Sequence, residues 1–299
     1  MFERVKAYLM VTKPGIILGN LIAATGGFLL AARGDIDMTL LWSTLLGLSL
    51  VIASSCILNN TIDRHTDKKM ARTQNRALVT GHLSPEGAVL FATVLGILGV
   101  TLICVMTNPL CVVMVLAGFT VYVGLYSLYL KANTIYSTLI GSLAGTAPPL
   151  VGYCAVTNRF DTGAVLLLIM FVLWQMPHCY AIAVFRYKEY RAAGIPVLPI
   201  KKGLQETKRA ITAFMLAFFG ASLMFTFQGY TGYRYLIVAC AVNLFWLYTA
   251  WSGYRGAPPR VWSKRLVVYS ILIITILCIM MSIDFKPNTS SATLLASLP

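Results

Sequence analysis

The sequence predicts an all-α polytopic membrane protein with nine transmembrane helices, and three observations predict it. Hydrophobic residues make up 58% of the chain and charged residues 11%, against about 25% charged in an ordinary soluble domain. The apolar residues fall in runs of about 20, the length a helix needs to cross roughly 30 Å of hydrocarbon. Lysine and arginine collect on alternate connections between those runs. Backbone exposed to lipid has to satisfy its own hydrogen bonds, which restricts the runs to helices. A membrane β-barrel would show short alternating segments instead, and none is evident.

The nine runs cover about 15–32, 38–58, 87–106, 109–130, 134–156, 162–185, 209–228, 233–253 and 265–284. The first is long enough to be a retained span rather than a cleaved signal peptide. The two-residue link 107–108 makes the third and fourth runs a tight antiparallel pair. In the fifth, Gly141-Ser-Leu-Ala-Gly145 allows close helix approach, and Pro148-Pro149 is expected to bend or break the helix. The residues after Asp284 turn polar and are expected to be mobile. The whole chain, 1–299, reads as one integral-membrane domain.

The net charge of +14 raises nucleic acid as a partner, but its distribution argues against one. Twenty of the 24 lysines and arginines lie in the N-terminal segment and in the connections around 59–86, 131–133, 186–208 and 254–264. The opposite side has only Arg33, Arg159, Arg234 and Lys286. The positive-inside rule therefore predicts a cytoplasmic N-terminus, and an odd number of spans a periplasmic C-terminus. Topology alone does not explain why the connections 59–86 and 186–208 hold so many of the cations. The seven cysteines are scattered through apolar stretches without a Cys-x-x-Cys pair and read as small buried hydrophobes.

The second run leads directly into Asn59-Asn60-Thr-Ile-Asp63-Arg-His-Thr-Asp67, followed by a basic stretch containing Arg72 and Arg76. On a helix, side chains four apart fan slowly round one face, so Asn59, Asp63 and Asp67 share a stripe. Two carboxylates at that spacing repel each other, and a membrane edge raises the cost of uncompensated charge. A divalent cation relieves both. The oxygen ligands and the lack of a Cys/His cluster disfavour zinc and suit Mg2+, which also takes phosphate oxygens. Nearby arginines and lysines suit the rest of a diphosphate. The competing arrangement is a solvated helix end with Asp63 and Asp67 paired to local cations.

These residues resemble the intramembrane prenyltransferase superfamily of UbiA type, whose members have nine helices and an Asn/Asp-x-x-x-Asp-x-x-x-Asp motif after the second span. The resemblance extends over essentially the whole chain, with Lys13-Pro14, Asn20 and the segment Tyr126–Lys131 as further matches. Most members carry a second Asp-x-x-x-Asp motif after the sixth span. Here that region reads Trp174-Gln-Met-Pro-His178, then Lys188-Glu189-Tyr-Arg191, then Ile195-Pro-Val-Leu-Pro199. Glu189 is its single acidic residue, which puts a second carboxylate-bound magnesium in doubt. This departure is similar to the branch of the superfamily that farnesylates haem b.

The resemblance implies farnesyl diphosphate and haem b as substrates, haem O and diphosphate as products, and the lipid bilayer as surroundings. Mg2+ is the implied cofactor, held by Asp63 and Asp67 with Asn59 or Asn60 assisting. Arg72, Arg76, Lys131 and Lys188 would add positive charge around the diphosphate, with Glu189 and Arg191 beside them. The faces of Tyr122, Tyr126 and Tyr129 would stabilise the allylic cation. His178, an ionisable group inside a span, is a functional candidate as iron ligand, propionate contact or base, or else a neutral structural histidine. A link to a haem-copper terminal oxidase follows from the resemblance alone. The chain is bacterial in style, so the expected location is the cell inner membrane with the site toward the cytoplasm. A prenyltransferase acting on an aromatic acid is the nearest alternative. A membrane transporter is the alternative from another class, although no internal repeat supports it.

Overall fold

The structure, a computed structural model, describes residues 2–286, and the side chains from residue 5 onward. Among the described residues nine helices are long and apolar enough to cross a membrane. They are Pro14–Ala32, Met38–Asp67, Pro85–Met106, Pro109–Asn133, Ser137–Thr157, Thr162–Phe185, Gly203–Phe227, Tyr233–Ser252 and Pro259–Ile283. Most of the tail expected to be mobile falls on residues 287–299, outside the described residues.

The helix ends differ from the apolar runs where polar residues continue a helix. The second span runs to Asp67, nine residues past its run, and the seventh and ninth begin earlier, at Gly203 and Pro259. Hydropathy marks where lipid begins, whereas backbone hydrogen bonding sets where a helix ends. The fifth span is broken as expected, into Ser137–Ala144 and Ala147–Thr157. Its two prolines sit in the first turn of the second piece, where a missing N–H leaves no bond unmade.

The first span packs along the fifth, and the second along the third. Glycine permits the first of these contacts. A methyl group at Gly27 would meet the carbonyl of Pro149, and one at Gly152 the carbonyl of Ala24. Both obstacles are backbone and cannot step aside. The second half of the bundle is built on large rings, with Phe218, Trp246 and Trp262 almost fully buried. The cysteine expectation holds for Cys56, Cys111, Cys154 and Cys278. Cys179 and Cys240 are half-buried, and Cys104 is exposed on a helix surface where its apolar neighbours are also exposed.

The fourth span changes character midway. After Phe119 the chain winds as a π-helix from Thr120 to Leu130. Such segments are rare and gather at functional sites.

Candidate active site

The stripe on the second span is buried. Asp63 is 7% exposed and Asp67 2%, and Asn59 and Asn60 are buried beside them. Among the described residues neither carboxylate accepts a backbone N–H, and each meets a cation instead. Arg76 Nη1 donates to Asp67 Oδ2 at 2.6 Å and to Asn60 Oδ1 at 2.8 Å. Thr73 Oγ1, donating to the Asp67 carbonyl at 2.8 Å, folds the loop back so that Arg76 can reach. Lys131, from the end of the fourth span, pairs with Asp63 Oδ2. The local pairing that competes with a metal site is therefore present at Asp67, while the partner of Asp63 comes from another span.

Asn59 is held from two sides. Its Nδ2 donates to Ser127 Oγ at 3.0 Å, and its Oδ1 accepts from Lys13 Nζ at 2.7 Å. Lys13 sits in the left-handed region at φ 57°, a conformation that costs a non-glycine residue roughly 1–2 kcal/mol. The turn between the N-terminal helix and Pro14 aims this side chain at Asn59. Burial pushes its ammonium down to about 8. In the sequence Lys13-Pro14 stands out only as a match to the family, and nothing in the dipeptide signals this contact.

The π-helix sets the opposite wall. Ser127 Oγ donates to the Tyr122 carbonyl at 2.8 Å, five residues back. With that winding, residues four to five apart share a face. Tyr122 and Tyr126 stack with ring centroids 5.7 Å apart and planes 20° apart. Gly141 leaves room for the Tyr126 ring. Tyr129, expected with them, is 66% exposed because the next turn carries it off this face.

The second basic loop reaches the first through Glu189. This carboxylate accepts from Arg186 at 2.9 Å and pairs with Arg72 at 3.4 Å. Arg72 thus bridges two loops and does not touch the Asp stripe. Burial pushes the neighbouring Tyr190 phenol above its ordinary value. Lys188 and Arg191 are exposed on the short helix Tyr187–Ala193 and bond to no residue of the stripe.

Below the stripe lies a cavity of about 500 Å³, within the range of sites for small molecules. Its lining begins at Gly15 and Cys56, next to the Lys13–Asn59 pair, and runs down to Trp174, Gln175 and His178. The walls are mostly apolar. The Gln175 amide lies over Gly145, in space that a side-chain carbon at that position would take. His178 stacks on Trp174, with centroids 5.2 Å apart.

The donor set fits magnesium better than a metal caged by protein. Among the described residues no group of three or more His, Cys, Asp or Glu could hold an ion. Two buried carboxylates and two amide oxygens supply hard ligands, and Mg2+ characteristically completes its shell with water and substrate phosphate. The three cations Lys13, Arg76 and Lys131 hold the polar oxygens of Asn59, Asn60, Asp63 and Asp67 in this structure.

Comparison with known proteins shows the family. The description "UbiA prenyltransferase family" matches residues 20–282. The chain is 56% identical over 290 residues to a protoheme IX farnesyltransferase of Yersinia pseudotuberculosis, covering 97% of this chain and 98% of that one. The protein of the same name from Edwardsiella ictaluri is 56% identical over 291 residues, covering 97% and 98%. That from Sodalis glossinidius is 56% identical over 282 residues, covering 94% and 95%. A solved structure of a digeranylgeranylglyceryl phosphate synthase shares the fold, with a TM-score of 0.77 at 18% identity, covering 94% and 98%. So does a UbiA homologue from Archaeoglobus fulgidus bound to GPP and Mg2+, with a TM-score of 0.70 at 17% identity, covering 92% and 99%. This chain belongs to the UbiA prenyltransferase family.

Proposed function

We propose that the protein transfers the farnesyl group of farnesyl diphosphate to a vinyl group of haem b, giving haem O. Full-length similarity to protoheme IX farnesyltransferases carries this reading, and the buried stripe above an apolar cavity supports it. In the balanced reaction the allylic C–O bond to diphosphate breaks and a C–C bond to the terminal vinyl carbon forms. Water supplies a hydroxyl to the other vinyl carbon and loses a proton.

Asp63, Asp67 and Asn59, with Asn60 behind them, would hold magnesium. The ion supplies Lewis-acid neutralisation of the leaving diphosphate when bound. Arg76, Lys131 and Lys13 leave the polar oxygens and turn to diphosphate oxygens, where their bonds are charge-assisted. Arg72, held by Glu189, closes the loop above, and Lys188 and Arg191 add positive charge around the entrance. The cavity walls keep bulk water from the allylic cation, and the faces of Tyr122 and Tyr126 stabilise it. His178 stands on the part of the wall where the acceptor would lie.

The excess of cations at the stripe's end of the bundle supports a cytoplasmic N-terminus and site, with the C-terminus periplasmic, in a bacterial inner membrane. The chain acts as a single domain, and a haem-copper terminal oxidase would consume its product. Purified protein in lipid-supplemented detergent, given haem b, farnesyl diphosphate and magnesium, is expected to form haem O, read by chromatography and mass. Prenylation of 4-hydroxybenzoate with haem b left unchanged would overturn the acceptor assignment.

A further inference from the structure

The ninth span carries a fully buried serine, Ser270, which does not line the cavity. Two aromatic residues of the sixth span converge on it. Trp174 Nε1 donates to the Ser270 carbonyl at 2.8 Å. The Nδ1 of His178 lies 2.6 Å from Ser270 Oγ. That same Oγ stands 2.7 Å from the carbonyl of Val267.

These two contacts decide which imidazole nitrogen carries the proton. A serine hydroxyl has one hydrogen and accepts through its lone pairs. If the hydrogen pointed at Nδ1, the Val267 contact would be two oxygen acceptors at 2.7 Å with nothing between them. If it points at Val267, that contact is a bond, and Oγ is left to accept from Nδ1–H. With a neutral imidazole, both short contacts are satisfied only in the Nδ1–H form. Nε2 is then bare, and no hydrogen-bond partner meets it among the described residues. The histidine carrying it lines the cavity.

We propose that Ser270 is a positioning residue that locks His178 in its Nδ1–H tautomer, so that Nε2 offers its lone pair to the iron of a tetrapyrrole acceptor. This deepens the reading of the acceptor as haem b and rests on it. A neutral imidazole whose other nitrogen donates to a fixed oxygen is the form that ligates metals well. Trp174 clamps the ring from one face and is tied to the same serine, so the sixth and ninth spans fix the imidazole in position and rotation together. Among the described residues no other imidazole lines the cavity.

The test reads tautomer and binding without requiring turnover. Protein labelled with 15N-histidine, with His178 assigned by difference from His178→Ala, is expected to show a protonated Nδ1 and a pyridine-like Nε2. Ser270→Thr keeps a hydroxyl and is expected to preserve that pattern; Ser270→Ala is expected to lose it. Haem b and metal-free protoporphyrin IX are then titrated without farnesyl diphosphate. Ser270→Ala and His178→Ala are expected to weaken haem b by about tenfold or more, as losing the orienting partner of a ligating histidine does, and to leave protoporphyrin IX unaffected. Ser270→Thr is expected to bind haem b like the parent chain. A protonated Nε2 in the parent chain, or equal effects on haem b and protoporphyrin IX, overturns the proposal. Iron-dependent binding with no haem O formed would sink farnesyl transfer while leaving the tautomer lock standing.

Discussion

The two ends of the bundle both carry aspartates, and they satisfy them differently. At the end away from the stripe, Asp37 accepts from Leu40 N at 2.9 Å, Asp161 from Gly163 N at 2.9 Å and Asp284 from Tyr235 N at 2.7 Å. Tyr153 adds its hydroxyl to Asp161 at 2.8 Å. These carboxylates cap helices, and fixed backbone donors complete them. Asp63 and Asp67 are buried beyond the first turn of any helix, and among the described residues no backbone donor meets their side chains. Their partners are the flexible ends of Lys131 and Arg76. A cap is finished when the chain folds, whereas a carboxylate held by a long side chain can exchange that partner for a metal and its diphosphate. Left-handed residues occur at both ends, as C-caps at Arg33 and Asn158 and as the turn that aims Lys13 at Asn59, while the π-helix lies on the stripe's side and holds Asn59 through Ser127.

The contrast breaks most visibly if the wrong end controls activity. Chelating magnesium, or Asp63→Asn and Asp67→Asn, is expected to lower farnesyl transfer by about 10²–10³-fold, the scale of losing charge stabilisation at a leaving group. The matched change Asp161→Ala is expected to leave the rate per folded molecule within about threefold. It lowers stability by about 1 kcal/mol, the usual cost of a lost cap, read as a thermal midpoint in detergent. Glu189→Gln, which frees Arg72, is expected to raise KM for farnesyl diphosphate by no more than about fivefold, because partly exposed ion pairs contribute about 1 kcal/mol or less. Gly152→Ala should have the smallest effect on chemistry, destabilising the first and fifth spans by about 1–3 kcal/mol through overpacking. A large loss of rate per folded molecule there would mean the cavity depends on that packing.

Much of this was legible in advance, for reasons that differ by region. Nine apolar runs of spanning length dictate nine helices, and Pro148-Pro149 announces the break in the fifth. The Asn59, Asp63 and Asp67 spacing announces a shared face because the helix continues beyond the lipid. Three contributors to the site were not legible. Nothing in Lys13 signals a positive φ, which arises where the N-terminal helix meets Pro14. The segment Thr120–Leu130 reads as an ordinary apolar run, since π winding leaves no mark in hydropathy, and so Tyr129 was grouped with Tyr122 and Tyr126. Ser270 is one small polar residue in a long span, and its role depends on which helix packs opposite. Arg72 was expected at the diphosphate and instead ties the first basic loop to Glu189, a contact set by tertiary approach alone.

The most direct measurement is calorimetric titration of an unreactive farnesyl thiodiphosphate, with and without magnesium, into the parent chain, Asp63→Asn and Asp161→Ala. Exchange of side-chain cations for magnesium and diphosphate predicts magnesium-dependent binding in the parent chain and in Asp161→Ala. It predicts binding weakened by roughly 10–100-fold in Asp63→Asn. Equal binding in all three, indifferent to magnesium, would mean that the buried carboxylates are structural ion pairs and that the diphosphate sits elsewhere.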